Sequence, residues 1–319
     1  MASIPALDHD TVLAAVSPSE AIERVREGFI SFARGEWEMP SKLYLPSPPN
    51  GDFRAMPVRG EGLAALKWVT SFPGNPRRGF PTVTGVVMVS DADNGEPVAL
   101  LDARAVTALR TGAAAAVASQ ELAEENACTV GLIGCGLHGA WVGRCMADAE
   151  YGPGFCFDVD PDAAGAVAAD LDWEVADLGE ALACDIVCTV TPGNEAVVHE
   201  QGLRPGQHLN LLGADGPGKA EATLGALARI AKAGRLFCDE WEQARHGGEL
   251  TAAVAQGIVA REQVIELGMV CAGLESGRES SEQITLFDST GLAIQDLAIV
   301  LGALDALRSG VVKAQQVSL

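Results

Sequence analysis

The stretch "CTVGLIGCGLHGAW", Cys128 to Trp141, constrains the fold more than any other part of the chain. A short apolar run, Thr129 to Ile133, meets Gly134, and Gly136 and Gly139 follow at the spacing G-x-G-x-x-G before a helical pattern begins. Strand, glycine-rich turn and helix in that order is the context that gives this spacing its meaning. Gly134 permits the tight turn, Gly136 lets a pyrophosphate approach the backbone, and Gly139 lets helix and strand pack closely, with the helix N-terminus facing the phosphates. Leu137 and His138, between the second and third glycines, complete the expected cofactor-binding turn. The next predicted strand, "GFCFDVDP", ends at Asp158, at about the 20-residue spacing expected of the carboxylate that accepts a ribose 2′-hydroxyl. No arginine follows it and Asp160 adds a second negative charge, so a 2′-phosphate would be repelled; the expected cofactor is NAD(H) rather than NADP(H).

The pattern around this motif divides the chain. From "ACTVGLIGCG" to about Leu267, short apolar strands alternate with Ala-rich helical stretches, the sequence form of a parallel sheet with crossover helices. Ahead of it, "SPSEAIERVREGFISFARG" reads as a helix with Ser17 at its start, Glu20 three residues on and Gly35 as its stop. "SKLYL", "GDFRAMPV", "AALKWVTSF", "TVTGVVMVSD" and "PVALLDA" then alternate with Pro, Gly and Asn punctuation as strands and hairpin turns do, and "VTALRTGAAAAVASQEL" turns helical. The boundary falls near Glu124 to Ala127. After the parallel pattern, "ITLFDSTGLAIQDLAIVLGALDAL" reads as a strand, a glycine-containing turn and a long helix that need not belong to the second domain.

Charge and composition narrow the classes of function. A formal charge of −21 argues against binding a phosphate backbone, which relies on Lys/Arg patches. No apolar run approaches the roughly 18 to 20 residues that span a bilayer, and "MASIPALDHD" lacks the basic and apolar regions of a secretion signal, so the expected location is the cytoplasm. The cysteines, at 128, 135, 145, 156, 184, 188, 238 and 271, form no CxxC pair, and no paired HxxxH accompanies them; they read as buried thiols, and no metal site is expected.

A single carboxylate stands out in "NLLGADGPGKAE". The apolar run His208 to Leu212 reads as a strand, and Asp215 follows within a few residues, ahead of the turn signal Gly216-Pro217-Gly218. That stretch alone is equally consistent with a residue that caps the turn or the next helix. Its place at the carboxyl end of a strand in a dinucleotide-binding sheet points instead to the ligand crevice, where a carboxylate suits the proton transfer that accompanies hydride transfer.

"KLYL", "GDFRAMP", "LKWVTSFPGNPRRGFPTV", "ARAVTALRTGAAAAVAS", "GLIGCG", "FDVD", "GADGPGK", "ARHGGE" and "FDSTGLAIQD" occur in this order, and the series resembles the ornithine cyclodeaminase/mu-crystallin family over nearly the whole chain, most of all its alanine dehydrogenase and imine reductase members. The resemblance implies an α/β fold: a Rossmann-type doubly wound parallel sheet at 125–284, inserted in a second α/β substrate-binding and dimerisation domain formed by 1–124 and 285–319. It also implies a homodimer acting on a small-molecule amino or imino acid. It makes Asp215 the proton-transfer residue, and it matches Thr82, Arg110, Thr111, Thr189, Lys219 and Ser289 to positions associated with holding the cofactor. Basic residues that bind the substrate carboxylate in the family match Lys42, Lys67 and Arg110. Lys67 lies in the apolar strand "LAALKWV", where a buried ammonium is costly unless an anion joins it, and by analogy it shares acid–base duty with Asp215.

One departure bears on the substrate. Where ornithine cyclodeaminases carry a glutamate just before "MP", this chain has Arg54, a charge that disfavours a distal ammonium and welcomes a distal carboxylate. Arg59 in "PVRGEG" joins Arg54 as a candidate partner of the distal carboxylate, and with Arg77 and Arg78 further on it either forms a local basic funnel or is one of a set of solvated loop charges. The expected activity is NADH-dependent reduction of a small α-imino acid to an L-amino acid, with iminosuccinate to L-aspartate first, alanine dehydrogenase as the main alternative, and ornithine cyclodeamination or a non-catalytic mu-crystallin-like binder behind them.

Overall fold

The computed structural model describes residues 3–193, 195–216 and 218–318. Pro217, in the turn expected after Asp215, lies outside the described residues. The chain forms two compact units, one taking in the residues up to Arg110 together with those from Leu292 onward, the other Thr111–Gly291. No helix among the described residues is long and apolar enough to cross a membrane.

The first unit is built on a mixed sheet. Strands β1 (Ser3–Leu7), β2 (Leu43–Ser47), β3 (Gly51–Gly60), β4 (Leu63–Ser71), β5 (Val83–Asp91) and β6 (Pro97–Asp102) are joined by a C-terminal strand, Gln315–Ser318, in the order C-terminal strand-β1-β6-β5-β4-β3-β2. The central strands form an antiparallel meander, and β1 runs parallel to β6. Neither β1 nor its C-terminal partner was expected from the sequence; each is short and flanked by stronger helical signals. Helices α1 (His9–Ala15), α2 (Pro18–Ala33) and the C-terminal helix Ala293–Arg308 complete this unit. Helix α2 starts where its sequence says, with the Ser17 hydroxyl accepting from the Glu20 N–H.

Alternation gives this sheet two unlike faces. In β3 and β4, Arg54, Met56, Val58, Ala65, Lys67 and Val69 are buried, whereas Trp68 is exposed. The pairs Leu43↔Ala55, Ala55↔Trp68 and Trp68↔Val86 run as a row across four strands on the outer face. Leu43, Leu45, Trp68, Val86 and Met88 leave that face both apolar and exposed. The inner face packs on the C-terminal helix, Lys67 of β4 reaching Asp296, and α2 packs on the same helix, where a Cβ added at Gly28 would press on Trp37 and the Ile294 carbonyl.

The second unit is a parallel sheet of eight strands: β7 (Val130–Ile133), β8 (Gly154–Phe157), β9 (Glu174–Val175), β10 (Ile186–Thr189), β11 (His208–Leu211), β12 (Arg235–Cys238), β13 (Val264–Glu266) and β14 (Thr285–Asp288). Their order is β13-β12-β14-β11-β10-β7-β8-β9, so the winding reverses between β7 and β10, the switch point at which doubly wound sheets bind ligands. Two boundaries differ from expectation. Helix α3 (Ala103–Leu122) begins in the first unit and continues into the second, so the division falls at Arg110 rather than near Glu124. Strand β14, expected with the substrate-binding domain, is hydrogen-bonded between β11 and β12, because its fully buried residues Thr285–Asp288 suit the centre of a parallel sheet. Among the cysteines, Cys128 is exposed and Cys271 half-buried, contrary to the expectation that all are buried.

Candidate functional site

In the first unit the inner face of the mixed sheet gathers the expected cations. Residues paired directly across an antiparallel ladder share a face, so Met56↔Lys67 and Arg54↔Val69 place Arg54 and Lys67 together. Tyr44, paired with Arg54, is on that face too, and Lys42 stands two residues before it. The Lys42 Nζ and the Arg54 guanidinium carbon lie 5.8 and 5.3 Å from the centre of the Tyr44 ring. Lys67 is almost fully enclosed, with its Nζ 2.7 Å from Oδ1 of Asp296 and 3.3 Å from the Thr107 hydroxyl. Arg110, on α3, directs Nη1 to Gln295 Oε1 at 3.4 Å and Nε toward Asp296 Oδ1 at 3.8 Å.

Burial pushes the Lys67 ammonium down to about 8; the Asp296 carboxylate opposes this, and the Arg110 and Arg54 charges add to it. Around this ion pair, Arg110 Nε, Gln295 Nε2 and Asp296 Oδ2 are buried with no hydrogen-bond partner among the described residues. Guanidinium and amide N–H groups that are already desolvated suit the oxygens of a small carboxylate.

In the second unit the glycine-rich turn has the geometry that dinucleotide binding needs. Gly134 adopts φ +98°, a conformation that side chains disfavour. A Cβ at Gly139 would run into the Gly134 carbonyl, while the space over Gly136 is open. Gly136 precedes α4 (Leu137–Asp148) without a side-chain cap, and the N-terminus of a helix is the end that favours an anion. Leu137 and His138 open that helix. Asp158, just beyond β8, accepts the Cys135 N–H at 2.6 Å and the Asp160 N–H at 2.9 Å, which fixes its carboxylate beside the turn. Asp160 in turn caps the helix Pro161–Leu171.

Beyond β10 and β11, a buried glutamate organises the loops. Glu221 accepts from the Thr189 hydroxyl at 2.7 Å, from the Thr191 N–H and hydroxyl at 2.8 and 2.7 Å, and from the Gly213 N–H at 2.7 Å. Burial pushes its carboxyl up and these donors oppose the shift. Two residues past Gly213, Asp215 pairs through Oδ1 with Lys219 Nζ at 2.5 Å, both side chains being partly exposed. Ser289, directly after β14, has a buried hydroxyl that lacks a partner among the described residues.

The expected residues therefore fall into distinct sets. Lys67, Arg110 and Arg54 converge, with Lys42 on the same face, and Gly134, Gly136, Leu137, His138, Gly139 and Asp158 form one cradle. Thr82 belongs to the first unit, just before β5, and its carbonyl accepts the Phe72 N–H. Thr111, buried in α3, is the first residue of the second unit. The Thr189 hydroxyl is committed to Glu221. Arg59 does not join the cations: paired with Ala64, it projects from the opposite face of the sheet, where Nη2 meets Glu38 at 2.7 Å. Its odd offset of five residues from Arg54 dictates this. Arg77 and Arg78 are exposed in a short 3₁₀ turn, Asn75–Arg78, as solvated loop charges are.

Sequence reading missed Asp296, Gln295, Glu221 and also Asp52, whose carboxylate accepts from Arg54 Nε at 2.6 Å. The demand for an anion beside Lys67 was visible; its source, a Gln-Asp pair at the start of an otherwise apolar buried helix, was the available signal.

Known proteins share this organisation. The family model described as "Ornithine cyclodeaminase/mu-crystallin family" matches residues 7–310. The chain belongs to the ornithine cyclodeaminase/mu-crystallin family. Within it, an alanine dehydrogenase of Archaeoglobus fulgidus is 40% identical over 300 residues, 92% of each chain. Among solved structures, an archaeal alanine dehydrogenase dimer with bound NAD superposes with a TM-score of 0.93 at 38% identity over all of both chains. The iminosuccinate reductase of Paracoccus denitrificans in complex with NAD⁺ superposes with a TM-score of 0.89 at 26% identity, again over all of both chains.

Proposed function

We propose that this chain is an NADH-dependent amino-acid dehydrogenase that converts pyruvate and ammonium to alanine. The Asp52–Arg54 pair carries the choice of substrate. Arg54 Nε and Nη2 meet the Asp52 carboxylate at 2.6 and 3.3 Å, so the cation that recommended a dicarboxylic substrate already holds a carboxylate of its own. Arg59, the second such cation, projects from the other face. The likeness to alanine dehydrogenases supports the same reading.

The cofactor fits the glycine cradle. The open space over Gly136, the N-terminus of α4 and the Asp158 carboxylate supply room, a helix end that favours an anion and a ribose acceptor. NAD(H) would be held there, with Thr82, Arg110, Thr111, Thr189, Lys219 and Ser289 as the further contacts that family likeness suggests; when bound as NADH it supplies the hydride. Lys67 and Arg110 orient the α-carboxylate of the protonated imine, with Lys42 supporting them. Asp215, held by Lys219, carries the proton, and Lys67 is the second group able to do so. Pyruvate, ammonium, NADH and a proton give alanine, NAD⁺ and water.

A second copy of the chain would cover the exposed row formed by Leu43, Trp68 and Val86, giving a homodimer. The position of Arg54 on the Lys67 face favours one other substrate, iminosuccinate. Rates of NADH oxidation with ammonium and pyruvate, oxaloacetate or glyoxylate test the choice. The highest kcat/KM is expected with pyruvate, and a higher value with oxaloacetate would replace this reading by aspartate formation.

A further inference from the structure

Asp52 stands two residues before Arg54 in β3, so both side chains belong to the sheet face that carries Lys67. The carboxylate grips the guanidinium at two nitrogens, the arrangement in which an arginine–carboxylate pair is strongest. The partners are unequally exposed, the Asp52 side chain 28% and the Arg54 side chain 8%. The arginine is therefore the desolvated member, and its charge is the one that most needs an anion. Nothing else in β3 calls for a carboxylate at this position. Aspartate disfavours strands, and across the ladder Asp52 faces Ser71 and Pro46, neither of them charged. A substrate carboxylate reaching Arg54 would have to displace Asp52 and then remain beside it, and like charges in contact oppose such binding.

We propose that Asp52 is a specificity-determining residue, which by engaging Arg54 withholds that cation from a distal carboxylate and selects imines with small uncharged side chains over dicarboxylic ones. This rests on the reading that Lys67 and Arg110 bind the α-carboxylate of an imino acid. Asp52→Asn and Asp52→Ser remove the charge while keeping a polar side chain. With the full chain, NADH and ammonium, the ratio of kcat/KM for oxaloacetate over pyruvate should rise at least about tenfold in both variants, roughly 1.4 kcal/mol of discrimination. The gain should appear mainly in KM for oxaloacetate and vanish in the double variant Asp52→Asn/Arg54→Met. Equal losses on both substrates would mean that Asp52 only supports the strand, and a larger loss on oxaloacetate would mean that it aims Arg54 at the dicarboxylate; either overturns the proposal. If the wild type reduces neither imine, the reading of function fails instead. The role of Asp52 is then measured by binding of succinate against propionate to the NADH complex, with the same tenfold rise in the ratio expected on Asp52→Asn and no change overturning it.

Discussion

Replacing Asp296 by asparagine should move the pH dependence of the reaction. Lys67 can attract a carboxylate only as an ammonium, and burial has already pushed its pKa from 10.5 down to about 8 with Asp296 at 2.7 Å. At about 1.4 kcal/mol per tenfold change in proton affinity, that drop disfavours the ammonium by roughly 3 kcal/mol. Asp296 contributes both the opposing charge and a hydrogen bond that hold the value as high as it is. Removing one partner of a buried ion pair typically costs about 3 to 5 kcal/mol. Even the lower figure lowers the proton affinity about a hundredfold, which carries the titration roughly two pH units further down. In the wild type, kcat/KM for pyruvate should hold up to about pH 8 and fall above it as Lys67 loses its proton. In Asp296→Asn the fall should begin roughly two units lower, leaving the enzyme weak at neutral pH and partly recovered in acid. The assay is kcat/KM against pH for both proteins, with folding checked by circular dichroism. An unchanged alkaline limb in a folded variant would refute the assignment, because either Lys67 does not titrate in catalysis or Asp296 does not hold its proton. The sign for stability is separate. With the folded pKa below that of the unfolded chain, wild-type stability should rise between about pH 8 and 10.5, where the unfolded chain still holds a proton that the folded one has released.

Asp158 and Asp160 should give NADH at least a tenfold advantage over NADPH, about 1.4 kcal/mol, and equal rates with the two would remove Asp158 from the ribose site. Asp215→Asn should lower turnover by about 10²- to 10⁴-fold while NADH binding, followed by fluorescence, persists; an active variant would shift the proton to Lys67. Trp68→Asp puts a charge into the exposed apolar row of the mixed sheet and should convert a dimer to monomer in analytical ultracentrifugation, whereas an unchanged mass would mean that the second copy sits elsewhere.

The local parts of both units could be read from sequence because they depend on neighbours a few residues apart. The α2 start at Ser17, the turn at Gly134 and the alternation around Lys67 are of this kind. Arg59 was misjudged although the information was present: an odd separation from Arg54 in one strand already sets it on the other face. Asp52, at an even separation, was open to the same reasoning. Asp296 was a different matter. It reaches Lys67 across 229 residues, and no periodicity in either segment reports which helix lies under which strand. The insertion of β14 between β11 and β12 was hidden for the same reason, since hydrogen bonding in a parallel sheet follows topology rather than sequence neighbours.

The separation of Lys67 from Asp296 also sets an order of events during synthesis. At about 5 to 20 residues per second, a ribosome completes Asp296 roughly 10 to 45 seconds after Lys67. Until then the meander of β3 to β5 has neither the C-terminal helix that covers its inner face nor the anion that makes a buried ammonium tolerable there. The nascent first unit is thus expected to stay open, with Lys67 hydrated and apolar strands within reach of other chains, while the second unit is translated. Expression at reduced temperature or with added chaperone capacity should then raise the soluble yield, and a circular permutant that begins at Leu292 should depend on such help less.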